Sequence, residues 1–256
     1  MSQTTDISLP DAARGDIDAL ARRMTGAMGP AMRVLTYLGG GIENRLERLP
    51  DRVKDAIESG AGAMLEQAYH AARVIGSQSV VPKTGAWAHK MAAVGSGAVG
   101  GIGGLSTALL EMPATVALIF GAMQKIAAEN GFDPVSEDTR LTCLEIFGAG
   151  GPGTRDDGVN STFLGTRIGL NGSTLSAVIS RIAPRFAATI SQKFAAQVVP
   201  VLGAAAGAGV NYAFMDYYQE MARIRFGLKR LALTHGEDDV MAAFRAAVSR
   251  RGGRLS

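Results

Sequence analysis

Three small constellations in this chain have residue types and spacings that chemistry uses. Gly95, Gly97 and Gly100, within VGSGAVGGIGG, repeat the G-x-G-x-x-G spacing that cradles a dinucleotide pyrophosphate. Gly104-Leu105-Ser106-Thr107-Ala108 approximates the nucleophile elbow of a serine hydrolase. Glu66 and His70 stand four residues apart, which would put two metal ligands on one helix face. Each constellation fails on its surroundings. A dinucleotide loop needs a buried strand before it and an acid about 20 residues further on. Here WAHKMAAV precedes it, Ala-rich and poor in β-branched residues, and position 115 is Thr. The elbow lacks its final glycine and its strand, and His70, His89 and His235 are scattered without a pairing signature. No HExxH surrounds Glu66 and His70. Neither a cofactor nor a metal is expected. The single cysteine, Cys143, reads as a small core residue on a helix.

The glycines have a second reading. Gly97 with Gly101, Gly100 with Gly104, and Gly203 with Gly207 are small-xxx-small pairs. On a helix each pair lies on one face and lets another backbone come close, as at helix contacts in membranes. Each glycine costs about 1 kcal/mol of helix propensity relative to alanine, so close packing or lipid must compensate for a run of them. Two polar residues share these apolar surroundings. Glu111 is the lone charge between Met91 and Gln124, and Asn211 lies in the uncharged stretch from Phe194 to Met215. Polar groups so placed need partners, and inside membranes they often carry function. The plainer expectation is that Glu111 marks a turn at the surface and Asn211 bonds a neighbouring helix. Arg140, on the helix after GFDP, is a candidate partner for Glu111.

The elements that must position these residues read as helices. Residues 1–10 look like a disordered tail. An N-terminal helical half covers 11–147 and holds the first apolar segment, 91–124. A loop at 148–160, GAGGPGTRDDGVN, separates it from a C-terminal half, 161–256, with the second apolar segment at 194–215. In the first half, Ile17, Leu20, Ala21 and Met24 share one side of a helix that begins at Asp11. A further helix starts at Asp51 and carries Val53, Ile57, Met64, Leu65, Ala68, Ala72 and Ile75 on one face. Asn130 and Gly131 suit a helix C-terminus, and Asp133 with Pro134 suits the N-cap and first position of a helix over about 134–147. In the second half, helical pattern runs from near Leu175 to about Leu233 with breaks at Pro184 and Pro200, and a last helix fits 237–250. Sustained strand alternation is absent. The expected class is all-α, a helical bundle in which the two glycine-rich apolar segments pack together.

Composition narrows the company this chain keeps. It is 47% hydrophobic but only 6% aromatic and 19% charged, against about 25% charged in ordinary soluble domains. Glycine supplies 33 of 256 residues, roughly twice its usual share, so much of the apolar content is small. A net charge of +3 gives a nucleic-acid partner little support. Residues 216–256 hold eight Lys/Arg and five Asp/Glu, an excess equal to the whole net charge, and the end reads SRRGGRLS. Such a region favours an anionic membrane surface or is a solvated tail. One cysteine and no recognisable signal sequence point to a reducing cytoplasmic setting. Spanning a hydrocarbon core takes about 20 strongly apolar residues. Residues 91–110 have the length but few large aliphatics, and PATVALIFGAM at 113–123 is greasier but short. A hairpin turning near Glu111-Met112-Pro113 and entering one leaflet is the arrangement expected of them.

Two stretches carry a resemblance to a known family. GIGGLSTALLEMPATVALIFGAMQKIAAENGFDPVSEDTRLTCL, from Gly101 to Leu144, is the first. ISQKFAAQVVPVLGAAAGAGVNYAFMDYYQEMARIRFGLKRLALTHG, from Ile190 to Gly236, is the second. The glycine-rich run, the GFDP element and the later LGAAAGA-x-x-NYAFM element together make the chain resemble the EcsC protein family. Asn130 stands where that family is expected to have a tyrosine before GFD. The resemblance implies a mostly helical bacterial protein whose family namesake is encoded beside an ABC transporter, with no established activity and hence no catalytic residues to carry over. The function expected from residues and resemblance together is an accessory or regulatory one. The protein would be peripheral to, or partly inserted in, the inner face of the membrane, with lipid or a membrane protein as partner. A peptidase-like hydrolase, and a soluble helical module that binds an apolar ligand between its helices, are the alternatives.

Overall fold

The computed structural model describes residues 9–26, 60–71, 104–148, 175–197 and 203–251, with backbone alone at 104–112, 189, 191–197, 203–208 and 210. Among the described residues every regular element is a helix. In chain order these are α1 (Asp11–Gly26), α2 (the helical residues 60–71), α3 (Gly104–Glu129), α4 (Glu137–Gly148), α5 (Leu175–Gln197), α6 (Gly203–His235) and α7 (Glu237–Arg250). The expected all-α class holds.

The 33-residue α6 is the axis of the fold, and α1, α3, α4, α5 and α7 all pack on it. One apolar cluster runs from Leu9 to Val248 and draws side chains from every helix. Helices before and after the expected loop at 148–160 therefore share a core; Gly148 itself ends α4, and 149–160 lie outside the described residues. Among the described helices the contacts between α3 and α6 are the most extensive, and these helices carry parts of the two apolar segments. Gly97, Gly100 and Gly101 fall outside the described residues, and Gly104, Gly203 and Gly207 are seen only as helical backbone opening α3 and α6.

Local signals at the α3–α4 connection work as the residue types demand. Helix α3 ends at Glu129; Gly131 takes φ 87, and its N–H and that of Phe132 reach back to Ala128 and Ala127 carbonyls at 3.0 Å each. This left-handed close satisfies carbonyls that the helix end would orphan. The next helix begins later than the sequence suggests. Asp133 caps a turn, accepting the Val135 N–H at 3.0 Å, whereas Ser136 Oγ accepts the Thr139 N–H at 3.2 Å and is the true N-cap of α4. A serine three residues downstream, with Glu137 and Asp138 in the first turn, outcompetes the Asp-Pro signal.

Two prolines expected to break or turn the chain do neither. Pro113 lies inside α3 and Pro184 inside α5. The hairpin turn expected at Glu111-Met112-Pro113 is absent, and the backbone passes through as helix. An internal proline costs about 3 kcal/mol. Both proline side chains are exposed. Elsewhere on the same helices Val116, Ile119, Phe120 and Met123 of α3, and Val178, Ile182, Phe186 and Ile190 of α5, are buried. Packing overrides the local preference. Pro200, and the expected helix positions Val53, Ile57, Ala72 and Ile75, lie outside the described residues.

Helix α1 sits along α6 in antiparallel register. Arg23 pairs with Glu220 at 2.8 Å, Leu20 lies over Gly227, and Asp16 pairs with Arg230 at 3.4 Å. A methyl on Gly227 would come 2.9 Å from Leu20 Cδ2, so the absence of a side chain there sets how near α1 approaches. Gly236, at φ 85, lets the chain reverse from α6 into α7.

Candidate functional site

Helix α4 is buried around most of its circumference, from Thr139 to Gly148. An interior helix with polar groups must pair them, because an unpaired buried charge costs several kcal/mol. Asp138, Thr142 and Glu145 recur at the helical period and face Arg225 and Lys229, one turn apart on α6. Glu145 accepts Arg225 Nη2 at 3.2 Å and Arg181 Nη2, from α5, at 3.0 Å. Lys229 Nζ donates to Asp138 and, at 3.3 Å, to Thr142 Oγ1. Pairing 225 with 145 and 229 with 138 makes α4 antiparallel to α6 along this seam.

The seam is deepest at Arg225, whose side chain is 2% exposed, against 9% for Glu145 and for Lys229. Burial raises the Glu145 carboxyl above its ordinary range, outweighing the opposite pull of Arg225 and Arg181. Burial likewise lowers Arg225 from its ordinary value, against the support of Glu145 and, more distantly, Glu237 and Asp138. The turn after α3 closes the outer end. Phe132 stacks toward Phe226 with ring centroids 5.6 Å apart, and Lys229 Nζ lies 5.6 Å from the Phe132 ring. Gln124 Nε2 donates to the Pro134 carbonyl, tying α3 to the same turn. The GFDP element is thus the lid of a charged seam.

Beside it lies an aromatic cluster. Phe147 contacts Phe120, Phe186 and Tyr218 at centroid separations of 5.9, 5.2 and 4.7 Å, joining α3, α4, α5 and α6. Burial and the neighbouring Tyr217 hold the Tyr218 hydroxyl well above its usual pKa, and that oxygen makes no hydrogen bond.

Arg140 and Asn211, singled out in the sequence, are both buried, but the described contacts do not join them. Arg140 stands over the Tyr69 ring, 4.1 Å from its centroid, and donates to the Tyr69 carbonyl at 3.3 Å, fastening α4 to α2. Asn211 is wholly buried on α6. Glu111 is in α3, and its side chain lies outside what is described, as does the expected contact with Arg140. Ser106 occupies the first turn of α3 rather than a strand-to-helix elbow. Cys143 is fully buried, and desolvation pushes its thiol far above the ordinary range despite the pull of Lys229. A nucleophile so placed stays protonated and closed to substrate. Glu66 and His70 stay at the surface with 4.0 Å between Oε1 and Nε2. Among the described residues no group of three His, Cys, Asp or Glu is arranged to hold a metal.

Sequence reading missed Glu145, Arg225, Lys229 and Arg181. The signal was present in Asp138, Thr142 and Glu145 on one helix, but a charge at helical spacing ordinarily marks a solvated face. Only the burial of α4 around most of its circumference turns Thr142 and Glu145 into a core feature.

The arrangement defines an all-α protein whose long central helix is locked to its neighbours by a buried charged seam and an aromatic cluster. The chain belongs to the EcsC protein family, whose model matches residues 46–231. That span takes in α2 to α5 and most of α6, including the whole seam, and leaves α1 and α7 outside. No curated protein and no solved structure matches the chain significantly.

Proposed function

We propose that this EcsC-family protein works at a membrane as an accessory or regulatory unit. The uncharged reaches of α3 and α6 would meet lipid or a membrane protein there. One observation carries the reading. Within 113–124 and 203–215 the residues seen exposed are Pro113, Ala114, Gly209 and Tyr212, none of them charged, and Tyr212 is 41% exposed. A tyrosine with an apolar body and a polar tip suits a lipid–water boundary. The core, by contrast, fastens its charges in pairs. No described helix is long and apolar enough to cross a membrane, so contact in this reading is peripheral or partial, at the inner face. A place beside an ABC transporter follows from the family resemblance.

The test places an environment-sensitive fluorophore at Tyr212→Cys, in a Cys143→Ser background, with Glu129→Cys at the far end of α3 as reference. Phosphatidylcholine vesicles should shift emission at position 212 to the blue and leave position 129 unchanged. Equal or absent shifts at both positions would contradict the reading.

A further inference from the structure

Among the described residues the buried cations are Arg140, Arg225 and Lys229. Arg225 meets Glu145 at 3.2 Å, and Lys229 meets Asp138. Arg140, 9% exposed, has no such match. Its Nη1 donates to the Tyr69 carbonyl at 3.3 Å, and its guanidinium carbon stands 4.1 Å from the centre of the Tyr69 ring. Nε is sealed from water and makes no hydrogen bond. Among the described residues Nη2 has no acceptor either, and no carboxylate pairs with the group. The nearest acids on these two helices stay at the surface. Glu137, one turn before Arg140, is exposed, and Glu66, one turn before Tyr69, is 61% exposed and 4.0 Å from His70. A buried cation held only by a neutral carbonyl and a ring is a cost that the fold bears. The edge it leaves open, Nε with Nη2, is the one with which a guanidinium grips two oxygens of one group at once.

We propose that Arg140 anchors a binding site for a monocarboxylate at the contact of α2 with α4. The two carboxylate oxygens take the Nε–Nη2 edge, while the Tyr69 ring and carbonyl hold the guanidinium plane. The chemistry selects the class. A planar carboxylate matches the fork with two parallel, charge-assisted hydrogen bonds. It sets one negative charge against one positive charge, so the pair is neutral within the interior. A phosphate monoester would bring nearly two negative charges past the exposed Glu66 and Glu137. The 9% of Arg140 that water reaches is the approach to the edge. Such an acid comes either from solution, as a small organic acid, or from lipid, as a free fatty acid; the headgroup chemistry is shared. The site does not depend on the membrane reading above.

Calorimetric titration of the full chain with acetate, octanoate, octylamine and inorganic phosphate tests the site, beside Arg140→Met and Arg140→Lys. The unsubstituted chain should bind a carboxylate and ignore octylamine. Arg140→Met keeps the apolar stem and Arg140→Lys keeps the charge, but neither has the fork. Each should bind the acid about tenfold more weakly or worse. Circular dichroism and melting confirm that the variants compared are folded, and the lysine variant serves if the methionine variant is not. Acetate bound as well as octanoate supports the site with a soluble acid as its ligand. Octanoate bound far more tightly supports it with a lipid-derived acid. Binding of neither acid overturns the proposal, as does equal binding by a folded variant, and Arg140 is then a fastening between α2 and α4 alone. Phosphate bound more tightly than both acids overturns the carboxylate assignment.

Discussion

Glu145 of α4 accepts the Arg225 guanidinium of α6 at 3.2 Å, with both side chains nine-tenths or more withdrawn from water. A buried pair of this kind stabilises little compared with an apolar pair of equal volume, yet removing one partner strands the other. Glu145→Ala and Arg225→Ala should each destabilise by about 3–5 kcal/mol. Arg181→Ala, which removes a 53%-exposed partner, should cost about 1 kcal/mol or less. The double variant Glu145→Met/Arg225→Met should lie far closer to the original protein than the sum of the single losses. Urea unfolding of the set decides the matter; additive losses would mean the two residues act separately.

The same carboxylate gives a pH dependence. Burial raises Glu145 above its ordinary 4.5 in the folded state, so the fold holds that proton more tightly than the unfolded chain does. The resulting stabilisation is complete below pH 4.5 and is lost as pH rises through the folded value. Glu145→Gln cannot titrate. The stability of the original protein relative to this variant should therefore fall from about pH 4.5 toward neutrality. A difference that grows with pH would show that the two arginines outweigh desolvation.

Glycines separate by what surrounds them. A methyl on Gly148 would overlap Ile182 Cγ2 and lie 2.5 Å from its Cβ, which cannot swing away. Gly148→Ala should cost about 1–3 kcal/mol. Gly209, on α6 with nothing within 4 Å, should gain about 0.4–1 kcal/mol as alanine. Thermal melts of both test this, and equal effects would contradict it.

Cys143 should behave as a core atom. Its burial and raised pKa predict no reaction with a thiol reagent in the native protein and rapid reaction in denaturant. Fast native modification would reopen the hydrolase alternative.

The sequence carried much of the fold where the signal was local. Asn130 and Gly131 place the end of α3 because only a left-handed residue closes a helix there, and α7 runs within the 237–250 expected of it. Signals decided by packing were harder to see. Pro113 and Pro184 look like breaks until the burial of the helices that contain them is known. Ser136 outcompetes Asp133 by geometry that letters do not show. The family resemblance rested on quoted motifs, and the matched span bears it out. The glycines at 97, 100 and 101 lie outside the described residues, whereas the close approaches visible are at Gly148 and Gly227, neither of which stands in a small-xxx-small pair weighed from the sequence. The charged seam escaped because Glu145, Arg225 and Arg181 are 36 to 80 residues apart in the chain and meet only on folding.

The central claim is that uncharged reaches of α3 and α6 touch a membrane, and co-flotation with pure phosphatidylcholine vesicles in high salt tests it most directly. High salt screens surface charges, leaving apolar contact as the means of attachment. The account predicts that the protein rises with the vesicles and that Tyr212→Asp lowers the fraction floated. Protein that stays at the bottom of the gradient in neutral vesicles would contradict it.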